Sequence, residues 1–424
     1  MTDEALARLQ FATTAGFHWL FVMLTLGLAP LIAVMHTRHA LGGAPLMERM
    51  TRFWGQIYVV NYVLGIVTGL VMEFQFGLAW SGLADYAGNV FGAPLALETI
   101  VAFFAESTFL GMWIFGWGKL PKAVHVALIW LVTLTAYASA YWIMVANGFL
   151  QHPVGHEVRG GVAHLVDFGA MLTNPNAINA LVHAATAALM TGGVFVAGVS
   201  SYHFLKRTAE REFFRASLRL GLFVAAPAAS VALYYGFVQI PTLVDTQPMK
   251  AATLQGHVDD IGSLRVEDVQ AQLVQRFGAG DYRPPSWIAT AFDVMQDTGY
   301  LIFLLVVVAL VLLHRDRYLR FRPAAYLMLV AIPLPFVAAF GGWLLREVGR
   351  QPWVVYGELT TAAARSPVGS MTASLVLFSG VFLALAVADW ALIARYARRG
   401  PADTDLGGSP GEGQAERPSA SLAL

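Results

Sequence analysis

The chain has 424 residues, 57% of them hydrophobic and only 13% charged, about half the charged share of a soluble domain. Its 27 basic and 27 acidic residues cancel, which leaves no electrostatic footing for nucleic acid. With no cysteine, disulfides, CxxCH-attached haem, cysteine-held iron–sulfur clusters and thiolate zinc sites are excluded, and any metal must be held by His, Met, Asp or Glu.

The N-terminus, MTDEALAR, is acidic and lacks a basic leader region, so no cleaved signal peptide is expected. Nine apolar runs follow, at 13–36, 54–76, 93–117, 123–146, 181–204, 216–239, 288–313, 325–347 and 368–394. Each is long enough to cross a bilayer as a helix of about 20 residues. The runs are continuous rather than alternating, so helices are expected and a barrel is not. The fold class is all-α integral membrane with nine transmembrane helices.

One long polar insertion, 240–286, carries Lys250, Asp259, Asp260, Glu267 and Asp268. It divides the chain into helices one to six (1–239), the loop, and helices seven to nine (287–398). Residues 399–424 are rich in Gly, Pro and Ser and read as a disordered tail.

Basic residues orient the chain. They cluster after the first run (Arg38, Arg49, Arg52), the third (Lys119, Lys122), the fifth (Lys206, Arg207, Arg211, Arg215) and the seventh (Arg315, Arg317, Arg320, Arg322), and again at Arg395, Arg398 and Arg399. The loop after the second run has none and the loop after the fourth only Arg159. The positive-inside rule puts the N-terminus and the 240–286 loop outside and the C-terminus in the cytoplasm.

Polar side chains then fall mostly in the outer half of the membrane. His18 lies about two turns into the first run, and Glu73 and Gln75 close the second in MEFQFG. Glu98 and Glu106 sit on the third, about 12 Å apart along a helix axis and about 80° apart around it. His183 opens the fifth run, Met295 opens the seventh and Glu347 closes the eighth. An isolated His or Met in a span is commonly packing, whereas a carboxylate inside one is costly and functional by default. Two His, one Met and several Glu on one side, without cysteine, are axial haem ligand types. Membrane haem protein and proton-coupled transporter both remain open on chemistry alone.

The eighth run ends in GWLLREVGRQPW, residues 342–353 being GWLLREVGRQPW. Gly349 and Pro352 end the helix. Arg346 and Arg350 offset the Glu347 charge, and a planar guanidinium suits bidentate contact with a carboxylate. Trp353 reads as an interfacial anchor.

The stretches RLQFATTAGFHWLFVMLTLG (8–27), GIVTGLVMEFQFG (65–77), FGAPLALETIVAFFAEST (91–108), YWIMVANGFLQHP (141–153) and GRQPW (349–353) make the chain resemble subunit I of cytochrome bd-type quinol oxidases, from about residue 8 to 396. That resemblance implies two four-helix bundles plus one further helix. It implies His183 and Met295 as the axial pair of a low-spin haem b. It implies His18 and Glu347 as ligands of a high-spin haem b and of a haem d or third haem b, which of the two holds which being left open. Trp343 and Arg350 would neighbour the cofactors, and Glu98 and Glu106 would serve the haem pocket and proton delivery. Lys250 and the position of Gln255 would meet quinol in a short-form loop.

The implied activity is quinol oxidation at the outer face and reduction of dioxygen to water, generating a membrane potential without pumping. A homologous subunit II is the implied partner, with a small single-helix subunit beside it. Two positions depart from the family pattern. Gln255 stands where the family commonly has Glu, and an amide cannot take a quinol proton; His257, Asp259 or Asp260 could take it instead. Asp293, two residues before Met295, stands where Arg is common. Both departures touch electron entry, so a different donor is the alternative reading.

Overall fold

In the computed structural model, residues 3–258, 261–262, 264–366, 371–404 and 406–407 are described. Among them, nine helices are long and apolar enough to cross a membrane. They are α1 (Asp3–Gly42), α2 (Pro45–Ala79), α3 (Ser81–Phe115), α4 (Lys122–Gln151), α5 (Pro175–Lys206) and α6 (Arg211–Thr246). After two short helices, α7 (Pro248–Thr253) and α8 (Val266–Phe277), come α9 (Ile288–Leu312), the broken pair α10 (Arg322–Val330) and α11 (Leu334–Val348), and α12 (Met371–Arg399). Apolar side chains such as Phe223, Leu304, Val311, Val376 and Leu377 face outward from the helices, as lipid-facing surface requires.

Helices in lipid gain nothing from excluding water between them, so small residues that let backbones approach do the packing. A Cβ on Gly27 would collide with the Ala188 carbonyl, and one on Gly193 would lie 2.5 Å from that of Gly221. Glycine at these crossings brings α1 against α5 and α5 against α6. The largest buried cluster forms around Trp54, Tyr58, Trp113, Leu28 and Phe214.

Four departures from the sequence expectation have physical causes. The third span begins at Ser81 rather than 93, broken from α2 only at Trp80. Within it, Glu98–Phe103 winds as a π-helix, which underwinds the backbone, so the α-helical 80° between Glu98 and Glu106 does not hold. The eighth span is interrupted at 331–333, ahead of Pro335 in the first turn of α11, where a proline costs no intrahelical bond. The described residues of 240–286 pack against the helices. Ile240, Ala251, Leu254 and Ile261 pack against Phe292, while Met249, Ala252, Val269, Leu273 and Tyr282 pack against Trp353.

Trp353 is accordingly a core residue rather than an interfacial anchor. Its ring lies 5.6 Å from that of Tyr282 at 8° and 5.0 Å from Phe277. The tail expectation also changes at its start. Leu406 is buried in the main core and its carbonyl accepts from Arg52 at 3.0 Å, while 408–424 lie outside the described residues.

Candidate functional site

One apolar cavity of about 700 Å³ runs through the loop end of the helix bundle. His18, Glu98, Glu106, His183, Lys250, Met295, Trp343 and Glu347 all line it. Residues from α1, α3, α5, α9, α11 and the loop thus reach one space. Gln255 and Arg350 do not line it.

Both histidines are held by their inner ring nitrogen. His183 Nδ1 lies 2.9 Å from the Ala232 carbonyl, which can only accept. His18 Nδ1 lies 3.0 Å from Thr68 Oγ1, whose own hydrogen goes to the Leu64 and Gly65 carbonyls. The carbonyl assigns N–H to Nδ1 of His183 and leaves its Nε2 lone pair for a ligand, while the Thr68 hydroxyl orients the His18 ring through Nδ1 and leaves Nε2 free of that contact. Glycines open the space beside them. A Cβ on Gly69 would lie 3.2 Å from His18 Cε1, and one on Gly236 3.7 Å from His183 Cε1. A Cβ on Gly342 would lie 2.7 Å from Met295 Sδ.

Glu347 ends α11 in a closed polar cluster. Its Oε1 accepts from Asn147 Nδ2 at 2.7 Å and Gln151 Nε2 at 3.4 Å, and its Oε2 from Arg350 Nη2 at 2.9 Å. Three donors use three of a carboxylate's roughly four acceptor sites, which leaves one for a further ligand. Arg346 turns inward, with Nε on Asn147 Oδ1 at 2.6 Å and Nη2 on the Asn176 carbonyl at 3.0 Å. Arg350 is buried, and its Nε and Nη1 have no hydrogen-bond partner among the described residues. A buried guanidinium with two free donors calls for an anion. Asn147 and Gln151 were not singled out in the sequence, although two amides four residues apart in a greasy run share one helix face.

Glu98 and Glu106 are separately supported. Glu98 Oε1 accepts from Ser139 Oγ at 2.7 Å, and neighbouring Thr99 donates to Glu73 Oε1 at 3.0 Å. Glu106 is buried, with Tyr58 OH as a long donor at 3.4 Å. Asp389 in α12, another carboxylate missed in the sequence, is fully buried with neither oxygen bonded among the described residues.

At the loop, Lys250 is buried rather than presented outward. Its Nζ donates to Gln151 Oε1 at 2.8 Å and to the Arg346 carbonyl at 2.9 Å. Burial, then Arg346 and Arg350, hold its ammonium well below the usual lysine range, against the pull of Glu347. Gln255 is exposed. One of the two departures, Asp293, meets a residue two positions beyond the other. His257 Nδ1 lies 2.7 Å from Asp293 Oδ1, a pairing no local spacing could reveal. Asp259 and Asp260 lie outside the described residues.

The residues fit haem. Among the described residues no three His, Asp or Glu side chains gather as a metal site. The ligand-type groups stand singly around an apolar space, as suits iron that brings its own macrocycle and needs only axial ligands.

The model of the family described as cytochrome bd terminal oxidase subunit I matches residues 6–266 and 266–401. The chain is 36% identical over 428 residues to "Cytochrome bd ubiquinol oxidase subunit 1" of Bacillus subtilis (strain 168), covering 91% of each chain. It is 30% identical over 496 residues to "Cytochrome bd-II ubiquinol oxidase subunit 1" of Escherichia coli (strain K12), covering 93% of this chain and 96% of the other. The solved bd oxidase from Geobacillus thermodenitrificans shares the fold, with a TM-score of 0.85 at 24% identity over 94% of this chain and 98% of that one.

Proposed function

Because the chain belongs to the cytochrome bd terminal oxidase subunit I family, we propose that it is the haem-bearing subunit of a quinol:oxygen oxidoreductase in a bacterial cytoplasmic membrane. His183 and Met295 hold a low-spin haem b. His18 and Glu347 hold the other two haems, a high-spin b and a d or third b. Once bound, the haems supply one-electron transfer and oxygen chemistry.

The chain's own residues bind, orient and move protons. Ala232 and Thr68 fix the ring orientation of His183 and His18. Asn147, Gln151 and Arg350 hold the Glu347 carboxylate, and Arg346, which lines the cavity, sets a positive charge beside it. Glu106 and Glu98 line the cavity one after the other along α3, and carry protons toward the site where dioxygen becomes water. The loop end faces outward by the arginine and lysine distribution. Quinol gives up its protons there while protons for water come from the other side, so a potential builds without pumping. A homologous subunit II, and a small single-helix subunit, complete the enzyme.

The observation that carries this reading is the convergence of His18, His183, Met295 and Glu347 on one apolar cavity, both rings being held through Nδ1. Spectra of the purified complex test it: Met295→Leu and His183→Ala should each remove one low-spin b signal and spare the others. One observation favours a second reading, a donor other than quinol: Gln255 is exposed and off the cavity.

A further inference from the structure

We propose that His257 is the base that takes a hydroxyl proton from the hydroquinone, with Asp293 as its positioning residue; the inference rests on the quinol-donor reading above. The chain running out of α7 crosses the first turns of α9 at the cavity rim. Leu254 and Val258 on one side, and Phe292, Met295 and Gln296 on the other, line the cavity. His257 and Asp293 are the chain neighbours of Val258 and Phe292; they lie just outside this lining and close on each other at 2.7 Å.

The contact decides the tautomer. A carboxylate accepts only, so Nδ1 carries the hydrogen and Nε2 carries the lone pair. The imidazole is thereby aimed and ready to accept, the arrangement a general base needs. Both side chains are a little over a third exposed, at 37% and 39%. A proton taken by Nε2 can therefore leave to water without crossing the core.

The neighbouring loop groups lack this capacity. Lys250 is buried and its Nζ already donates to Gln151 and to the Arg346 carbonyl, so a proton taken there would start from the core rather than from the exposed rim. Gln255 carries an amide, which takes no proton. The plain alternative is a surface ion pair that ties the loop to α9 and does nothing more.

Two O–H bonds of the hydroquinone break and its two C–O bonds become carbonyls. Two electrons leave, one at a time, to ferric haem as the oxidant. The first proton goes to His257 Nε2 and on to outside water, and the second follows by the same route once the ring is free again.

The experiment uses the purified complex with its partner subunit and compares wild type with His257→Ala, His257→Asn, Asp293→Asn and the double variant His257→Ala/Asp293→Asn. Oxygen uptake is driven by a short-chain ubiquinol or, separately, by a soluble one-electron donor that reduces haem directly. Binding of oxidised short-chain ubiquinone is measured alongside. Both His257 variants should lose about 10²-fold or more in quinol kcat, with quinone binding, haem spectrum and direct-donor turnover unchanged. Imidazole in the buffer should restore part of the rate of His257→Ala. Adding Asp293→Asn to His257→Ala should cost nothing further, as expected of two residues acting as one unit.

Wild-type quinol turnover in His257→Ala overturns the assignment. So does a loss that imidazole leaves untouched and to which Asp293→Asn adds in full. If wild type consumes oxygen from the direct donor but none from quinol, the donor reading itself falls, and this assignment with it.

Discussion

Asn147 donates its side-chain amide to Glu347 Oε1 at 2.7 Å while its own carbonyl oxygen takes Arg346 Nε at 2.6 Å. One residue of α4 thus satisfies both charges at the end of α11. Asn147→Leu strips each of a partner in a buried place, at a cost of about 1–3 kcal/mol per group. The expected outcome is a lower melting temperature for the purified complex and loss of the haem signal that depends on Glu347. Melting and spectrum at wild-type values would show that the pairing does not hold the carboxylate.

Gly341 and Gly342 should separate packing from ligation. A Cβ on Gly341 meets the Ala291 carbonyl at 2.9 Å, rigid backbone, whereas one on Gly342 meets Met295 Sδ at 2.7 Å, the free end of a flexible side chain. Gly341→Ala should cost stability, about 1–3 kcal/mol for overpacking. Gly342→Ala should fold nearly as well but displace the sulfur and shift the low-spin band. Thermal melts and reduced spectra of the two variants check the contrast.

Glu98→Gln and Glu106→Gln should slow oxygen reduction by about 10²-fold or more while the haem spectrum stays intact, because an amide keeps hydrogen bonds but exchanges no proton. Tyr58→Phe, which removes the 3.4 Å donor to Glu106, should give a smaller loss. Single-turnover oxygen reactions of the reduced complex measure this directly. Full rates in both Gln variants would leave the two residues a structural role only.

Lys250 gives a pH prediction with a definite sign. Burial, with Arg346 and Arg350 beside it, lowers its value from the ordinary 10.5 in the folded chain. Between the folded value and 10.5 the unfolded chain binds more protons, so unfolding free energy rises with pH across that window. The burial cost is fully present below it. Lys250→Gln should flatten this rise, visible in melting temperatures recorded through the alkaline range. The same slope in wild type and variant would contradict the assignment.

The spans and ligand candidates were legible because the membrane imposes simple rules. Helix length, basic-residue bias and the rarity of His, Met and Glu at depth each leave a linear trace. The packing was less so. The π-turn at Glu98–Phe103 and the break at 331–333 depend on neighbours that no local period encodes. Lys250 read as a loop residue open to substrate, because a lysine in a polar stretch is ordinarily solvated. Its burial follows only once Gln151 and the Arg346 carbonyl come from two other helices. The His257–Asp293 contact joins positions 36 apart, and each residue alone reads as surface.

The most direct measurement is the reduced-minus-oxidised absorption spectrum of the complex carrying His183→Ala, beside wild type. The account predicts haem in wild type and loss of a single low-spin b band in the variant, with the remaining bands in place. A variant spectrum identical to wild type, or a wild-type complex without haem, would contradict it.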